Sequence, residues 1–319
     1  MAGIMTIAAK EMRDQFGSKR FLILFGLIVL LSGLAAYQGV DFIKENTSAT
    51  FLYIFSGTRM SYSFIQIMVL FGPILGMALG FDAVNKERTS GTLSMLLGQP
   101  IYRDSVINGK FLAGAASLAT LGVGTIAITV GLAIPLLGYG PTGTEALKIV
   151  VMALLTVLYL VFWLSLGMLF SVIAKKTSTS ILASIATWMF FSIILGIFAN
   201  FITGVMVPLP AEGFQMGGQG GQGGFSMTEE YRDAMMRRME LTEAIEKISP
   251  TELYEGAANA ILGVASGFQR AAQEFARTMS LGEALASNWA SIAVLGVGVI
   301  VCFAASYTLF LRIEIRPGD

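Results

Sequence analysis

Six stretches of this chain, residues 21–40, 61–81, 111–137, 147–174, 178–207 and 288–311, are apolar and almost free of charge; Lys148 is the one Asp, Glu, Lys or Arg in all of them. A bilayer's hydrocarbon core is about 30 Å thick and takes roughly 20 apolar residues of helix to cross. Within that core every backbone N–H and C=O must be satisfied inside its own segment, which makes runs of this kind helical. The chain therefore reads as an all-α polytopic membrane protein with six transmembrane helices. Charged residues make up 13% of it, about half the roughly 25% of a soluble domain. The formal net charge is zero, so no basic field points to nucleic acid. Histidine is absent, which removes the commonest metal ligand and proton shuttle. Cys302 is the single cysteine and excludes an intrachain disulfide.

Residues 80–110, GFDAVNKERTSGTLSMLLGQPIYRDSVINGK, form the one long polar break between consecutive early spans. Thr89 or Ser90 can cap a short helix there, with Leu93, Leu96 and Leu97 at i, i+3, i+4 spacing on one face. Gly98 supplies a helix stop, and Pro100 prevents continuation. That face is too short to cross a membrane. It either docks on another protein or folds back on this chain's own N-terminal helix. Glu87 and Arg88 are the polar candidates beside it.

Ahead of the first span, Ile4, Ala8, Met12 and Phe16 repeat every four residues, with Met5 and Ile7 flanking and Lys10, Arg13 and Asp14 opposite. Residues 1–20 thus read as an amphipathic helix lying along the membrane surface. Glu11 falls near its apolar side. Either its carboxylate reaches back to solvent, or it pairs with a cation of the 82–110 segment. In the second span Gly72, Gly76 and Gly80 recur at four-residue spacing, so a neighbouring helix can approach closely. Packing within the chain is the simpler reading, and a dimerisation face the other. Pro73 is placed to kink that span.

Positive charge orients the chain. With the N-terminus inside, the inner segments collect Lys10, Arg13, Lys19, Arg20, Lys86, Arg88, Arg103, Lys110, Lys175, Lys176, Arg312 and Arg316, while the short outer loops hold Lys44, Arg59 and Lys148. Both termini and the polar break are expected in the cytoplasm of a cell-membrane protein. The organisation is then residues 1–20, a surface helix; 21–207, five spans with the polar segment 82–110; 208–287, an extracytoplasmic insert; and 288–319, a sixth span with a short tail.

The insert opens with a glycine-rich stretch, residues 213–224, that reads as low-complexity and mobile. Two amphipathic helices follow, announced by the capping boxes Ser226–Met227–Thr228–Glu229 and Ser249–Pro250–Thr251–Glu252. Tyr231, Met235 and Met239 stripe the first. Leu253, Ala257, Ile261, Val264, Phe268, Ala272, Phe275 and Met279 stripe the second. Met216, Met227, Met235, Met236 and Met239 raise a copper(I) reading, but helical spacing makes them an adaptable apolar face.

The chain has no catalytic constellation and no G-x-x-x-x-G-K-[ST] phosphate loop. Its spans offer no interior ionisable group of the kind ion-coupled carriers use, Asp41 and Asp82 standing only at span edges. No metal site is indicated. A transport cycle here needs energy from another subunit.

Ile7–Ala8–Ala9–Lys10–Glu11–Met12–Arg13–Asp14 and Ser18–Lys19–Arg20–Phe21, followed by a span, open a resemblance to the permeases of ABC-2 type ATP-binding-cassette transporters, including those of nitrous-oxide-reductase maturation systems. It is strongest in Phe81–Asp82–Ala83, Glu87–Arg88, Gly91–Thr92–Leu93, Leu96–Leu97, Pro100, Arg103 and Gly109–Lys110. These are similar to the pattern E-R-x-x-G-T-L-E-x-L-L-x-x-P-x-x-R followed by G-K, with Ser94 where glutamate is frequent. The resemblance implies a type V exporter-like fold with a connecting helix bearing Glu11, Met12 and Phe16. It also implies a coupling helix within residues 82–97, with Glu87, Arg88, Leu93, Leu96 and Leu97 meeting an ATPase. Two permease copies and two separate ATPase subunits are implied, the latter holding ATP and magnesium, with no cofactor in this chain.

Three readings stand against one another. The chain is half of an exporter or flippase; or it transmits the ATPase's motion to an extracytoplasmic partner without passing cargo; or it is an ATP-independent channel or carrier. The lack of intramembrane ionisable groups counts against the third.

Overall fold

The computed structural model describes residues 2–46, 49–55, 63–91, 102–210, 214–216, 225–263 and 280–312. Among them, six helices are long and apolar enough to cross a membrane. By internal contacts the chain divides into residues 1–186 with 254–319, and residues 187–253.

In the first unit, α1 (Ala2–Phe16) leads through Gly17 and Ser18 into α2 (Lys19–Glu45). Lys19 and Arg20 therefore open the first long helix instead of closing the surface one. A 3-10 turn (Phe51–Phe55) buries Phe51, Leu52, Ile54 and Phe55. It packs so closely on α2 that a Cβ at Gly39 would lie 2.7 Å from Ile54 Cα. Helix α3 (Phe64–Gly80) starts three residues later than a hydropathy reading places it, because the Ser63 hydroxyl accepts from Gln66 N–H in a reciprocal capping box. Pro73 lies inside this helix and is buried.

After the short α4 (Asn85–Thr89), α5 runs from Arg103 to Leu137, α6 from Gly143 to Ile173 and α7 from Thr177 to Met189. The start expected at Phe111 moves back eight residues, to Arg103. Apolar content marks the part of a helix that meets lipid, and the polar first turns of α5 meet protein instead. Pro135 stays within α5, and the turn comes at Gly138, whose φ of +79° suits glycine. Thr142 and Glu145 then cap α6, and Glu145 Oε1 also accepts from Phe51 N–H at 2.9 Å. That single carboxylate ties the 3-10 turn to the start of α6.

Helix α6 is the axis of this unit. Gly72, Gly76 and Gly80 of α3 all face it: added Cβ atoms would lie 2.9 Å from Tyr159 Cε1, 2.6 Å from Leu160 O and 2.6 Å from Leu164 O. The four-residue glycine spacing thus serves packing within the chain. Gly167 of α6 meets Met77 of α3 at the same contact, and Gly114 of α5 meets Leu164. Lipid tails supply no hydrophobic drive between helices, so close van der Waals approach through small residues holds such a bundle. Tyr159 adds a hydrogen bond, donating to Val69 O at 3.2 Å. The last helix, α11 (Leu281–Leu311), also packs on α6, and the Phe303 ring stacks on Phe111 of α5 at 4.1 Å. A capping box, Ser280 with Glu283, starts α11 seven residues before the expected position 288.

The second unit contains the end of the fifth span. The helix from Thr177 passes through a π-helical segment (Phe190–Ile194) into α8 (Leu195–Met206). Beyond it, β1 (Phe214–Met216) and β2 (Phe225–Met227) pair antiparallel, Phe214 opposite Met227. The flanks of the glycine-rich stretch are therefore held together, a pairing its composition does not announce. Helix α9 (Glu229–Glu246) is capped by Thr228, whose hydroxyl accepts from Tyr231 N–H. Ser226, expected to be the cap, belongs to β2. Tyr231 and Met235 of the expected stripe are half-buried, whereas Met239 is exposed. Helix α9 lies along α8 in the opposite direction. The Thr203 and Thr242 hydroxyls are 2.9 Å apart, and the Arg238 guanidinium is 3.0 Å from where Gly204 would carry a Cβ.

Helix α10 (Pro250–Leu262) begins after Ser249, whose hydroxyl donates to Phe191 O at 3.1 Å and accepts from Thr251 N–H at 3.2 Å. From Tyr254 onward it belongs to the first unit. There the Tyr254 ring stacks on Tyr159 at 4.4 Å, and its hydroxyl shares a 3.0 Å hydrogen bond with Thr156. The helix ends at Gly263, with φ +68°. Leu253, Ala257 and Ile261 are buried as their spacing predicts. Val264, Phe268, Ala272, Phe275 and Met279 lie outside the described residues.

Candidate functional site

Lysine 110 sits where α1, α4 and α5 meet. Helix α1 packs along the first turns of α5, and Gly109 is what lets it in: a Cβ there would lie 2.8 Å from Ile7 Cγ2 and 3.1 Å from Ile4 O. The contact face of α1 is formed by Ile4, Ile7, Ala8, Glu11, Met12, Gln15 and Phe16, while Met5 is exposed. The next residue of α5, Lys110, is then covered by its neighbours and only 7% exposed.

Its ammonium group stands 2.8 Å from Glu87 Oε1 and 3.1 Å from Glu11 Oε1. Both carboxylates are under one-fifth exposed. One buried cation therefore joins two carboxylates from segments 76 positions apart in sequence (Glu11 and Glu87). Burying a charge is costly unless it is paired and hydrogen-bonded, and this arrangement provides both for the lysine. From the exposed side of α1, Lys10 adds an outer contact to Glu11 at 3.5 Å and one to the exposed Asp14 at 3.8 Å.

The segment carrying Glu87 is fixed from its other side. Ser171 of α6 accepts from the backbone N–H groups of Val84 and Asn85 at 3.0 and 3.1 Å. Ser180 of α7 donates to Phe81 O at 2.8 Å, and Arg88 donates to Ala174 O at 3.4 Å. Asn85 is fully buried. The turn between α3 and α4 is thus held by the end of α6 and the start of α7, and α4 is held by Lys110. A displacement of residues 81–90 would act on α1, α5, α6 and α7 together.

Of the residues singled out from the sequence, Glu11 and Glu87 are brought together through Lys110, so Glu11 makes the ion pair that was one of its two readings. Arg88 lies beside them but turns to the Ala174 carbonyl. Met12 is half-buried on the α1 face, and Phe16 meets Phe21 edge-on at 5.2 Å. Thr89 and Ser90 end α4 instead of capping a following helix, their hydroxyls donating to the carbonyls of Asn85 and Lys86. Leu93, Leu96 and Leu97 lie outside the described residues. Gly72, Gly76 and Gly80 form no part of this site. Lys110 was only one of several candidate cations of residues 82–110 and not a named site residue, and Ser171 was not named at all. The signal for Lys110 was Gly109 beside it, a small residue where two helices cross; Ser171 offered none.

The family model described as ABC-2 family transporter protein matches residues 5–315. A Pseudomonas aeruginosa protein, a probable ABC transporter permease protein NosY, is 29% identical over 144 residues, which cover 42% of this chain and 48% of that protein. The match spans about half the length of that relative.

Proposed function

The chain belongs to the ABC-2 family of transporter proteins, and from that premise we propose that it is the membrane permease of an exporter driven by a separate ATPase. The observation that carries this reading is the Lys110 site. Residues 81–90, the described start of the polar segment that the sequence marks for docking, are clasped to α1, α5, α6 and α7 by buried polar contacts. A push delivered to residues 81–90 reaches four helices together. ATP and magnesium would be held by the partner, and two copies of each subunit would make the working transporter. The termini and the polar segment face the cytoplasm, as the distribution of Lys and Arg supports.

Passage of cargo is favoured over transmission to an external partner. Helix α9 lies against α8, the end of the fifth span, and Tyr254 of α10 hydrogen-bonds Thr156 of α6.

Purification of the tagged chain from its native membrane tests the reading. A soluble ATPase is expected to co-purify, with nucleotide hydrolysis present in the complex and missing from the permease alone. Hydrolysis by the isolated permease, or a fully active transporter with no ATPase bound, would overturn it.

A further inference from the structure

Helix α8 is the second half of a 30-residue apolar span, Thr177–Met206. One of its faces is what lipid requires: Ile197, Phe198, Phe201 and Val205 are between 57 and 69% exposed. Beside it runs α9, with a very different composition. The neighbours of α9 along α8 fix how deep it goes. Arg238 lies at Gly204, Thr242 at Thr203, and the Glu246 carboxylate comes within 3.5 Å of the Cβ position of Gly196. Ser249 then bonds Phe191 O in the middle of the span. At about 1.5 Å per helical residue, Gly196 is some 15 Å from the Met206 end and Phe191 some 23 Å. The α9 chain therefore descends along the span to near its midpoint.

The outward face of α9 over this descent carries Arg237, Glu240, Glu243 and Lys247, all exposed. Glu243 and Lys247 pair at 3.0 Å, both more than half exposed. Ionised side chains at membrane depth face protein or water, not acyl chains. Non-spanning backbone at such depth is likewise tolerated where it borders a water-filled cavity. Phe198 and Glu243 thus stand at comparable depth and call for opposite surroundings.

We propose that the charged face of α9 borders a water-filled vestibule that enters the membrane from the Met206 end of α8 and reaches the level of Gly196. It admits water and hydrophilic solutes, and it would give a polar or amphiphilic cargo a hydrated route out of the bilayer. The vestibule depends on residues 177–206 spanning the membrane and not on how an ATPase is coupled.

The test uses single cysteines in a Cys302→Ser background. The full-length chain, with any subunits it retains, is placed in lipid nanodiscs, where both membrane faces are open to reagent. A charged, membrane-impermeant maleimide is applied to Glu243→Cys, Lys247→Cys, Phe198→Cys and Phe201→Cys, with Arg232→Cys as the reference near the start of α9. A lipid-soluble maleimide, applied in parallel, shows that each cysteine is present and intact. Because the reactive thiolate forms where water can solvate it, Glu243→Cys and Lys247→Cys should react within about tenfold of Arg232→Cys, and the two phenylalanine positions about a hundredfold slower. Glu243→Cys and Lys247→Cys as slow as Phe198→Cys would overturn the vestibule, whether lipid or a second protein copy covers them. Fast reaction at all four α9 and α8 positions would overturn it too, because α8 would then face no lipid.

Discussion

Lys110→Met removes the ammonium group while keeping most of the side chain's bulk. It leaves Glu11 and Glu87, both under one-fifth exposed, without the cation that stands 3.1 and 2.8 Å from them. Exposed pairs contribute about 0–1 kcal/mol, whereas removing one member of a buried pair costs about 3–5 kcal/mol. The remaining exposure of the carboxylates, and Lys10 at 3.5 Å from Glu11, move the expectation between these ranges, to about 2–3 kcal/mol. Unfolding of the full chain in detergent, followed by denaturant or heat, reads this loss. A double-mutant cycle assigns it. Lys110→Met with Glu87→Gln should show a coupling of at least about 1 kcal/mol, and Lys110→Met with Glu11→Gln a smaller one, since Lys10 also serves Glu11. The triple variant, with no charge left to strand, should recover much of the loss. A Lys110→Met protein within about 0.5 kcal/mol of its parent, or additive cycles, would refute the clasp as a stabilising unit.

Gly76→Val places side-chain atoms where even a Cβ would lie 2.6 Å from Leu160 O and 2.7 Å from Trp163 Cβ. It should cost at least about 1–3 kcal/mol and reduce the yield of folded protein, whereas Gly124→Val, with open space around it, should not. Leu96→Asp should abolish association with the ATPase and leave insertion and thermal stability intact, because burial of a large apolar side chain against a partner is worth about 1.5–3 kcal/mol. Full binding and turnover by that variant would remove Leu96 from the docking face. Cysteines at Arg88 and Lys175 should be labelled from the cytoplasmic side and one at Glu230 from the other, and labelling of all three from one side would overturn the orientation.

The spans were legible because lipid imposes one requirement, apolar length, that composition reports directly. Their ends were not, because helices continue wherever local capping and protein contact allow. Helix α5 gains eight residues at its start through contact with α1, and α11 gains seven from a Ser280–Glu283 box that lies in plain view. The glycine triplet of α3 announced a close helix contact by its spacing, but whether the partner lay within the chain, on the α6 surface led by Tyr159, Leu160 and Trp163, needed the structure. The pairing of β1 with β2 has no periodic signal, since three-residue strands beside a run of glycines offer too few positions to form one.

The site divides in the same way. Glu11 was suspicious on sequence grounds because a carboxylate near an apolar face needs a partner, and the choice of partner was open among the cations of residues 82–110. Distance settles it in favour of Lys110, 99 residues away. Hydropathy treats Lys110 as the polar edge of a span, and an edge lysine ordinarily reaches into solvent. Here Gly109 admits α1 so closely that Lys110 is enclosed before it can do so. The carboxylates are then needed to make the enclosed charge tolerable, and Ser171, Ser180 and Arg88 hold the Glu87 segment in place by backbone contacts. Because those contacts go to main-chain groups, no residue type at the receiving positions advertises them. A missing side chain at one helix crossing thus turns an ordinary edge lysine into the junction of three helices.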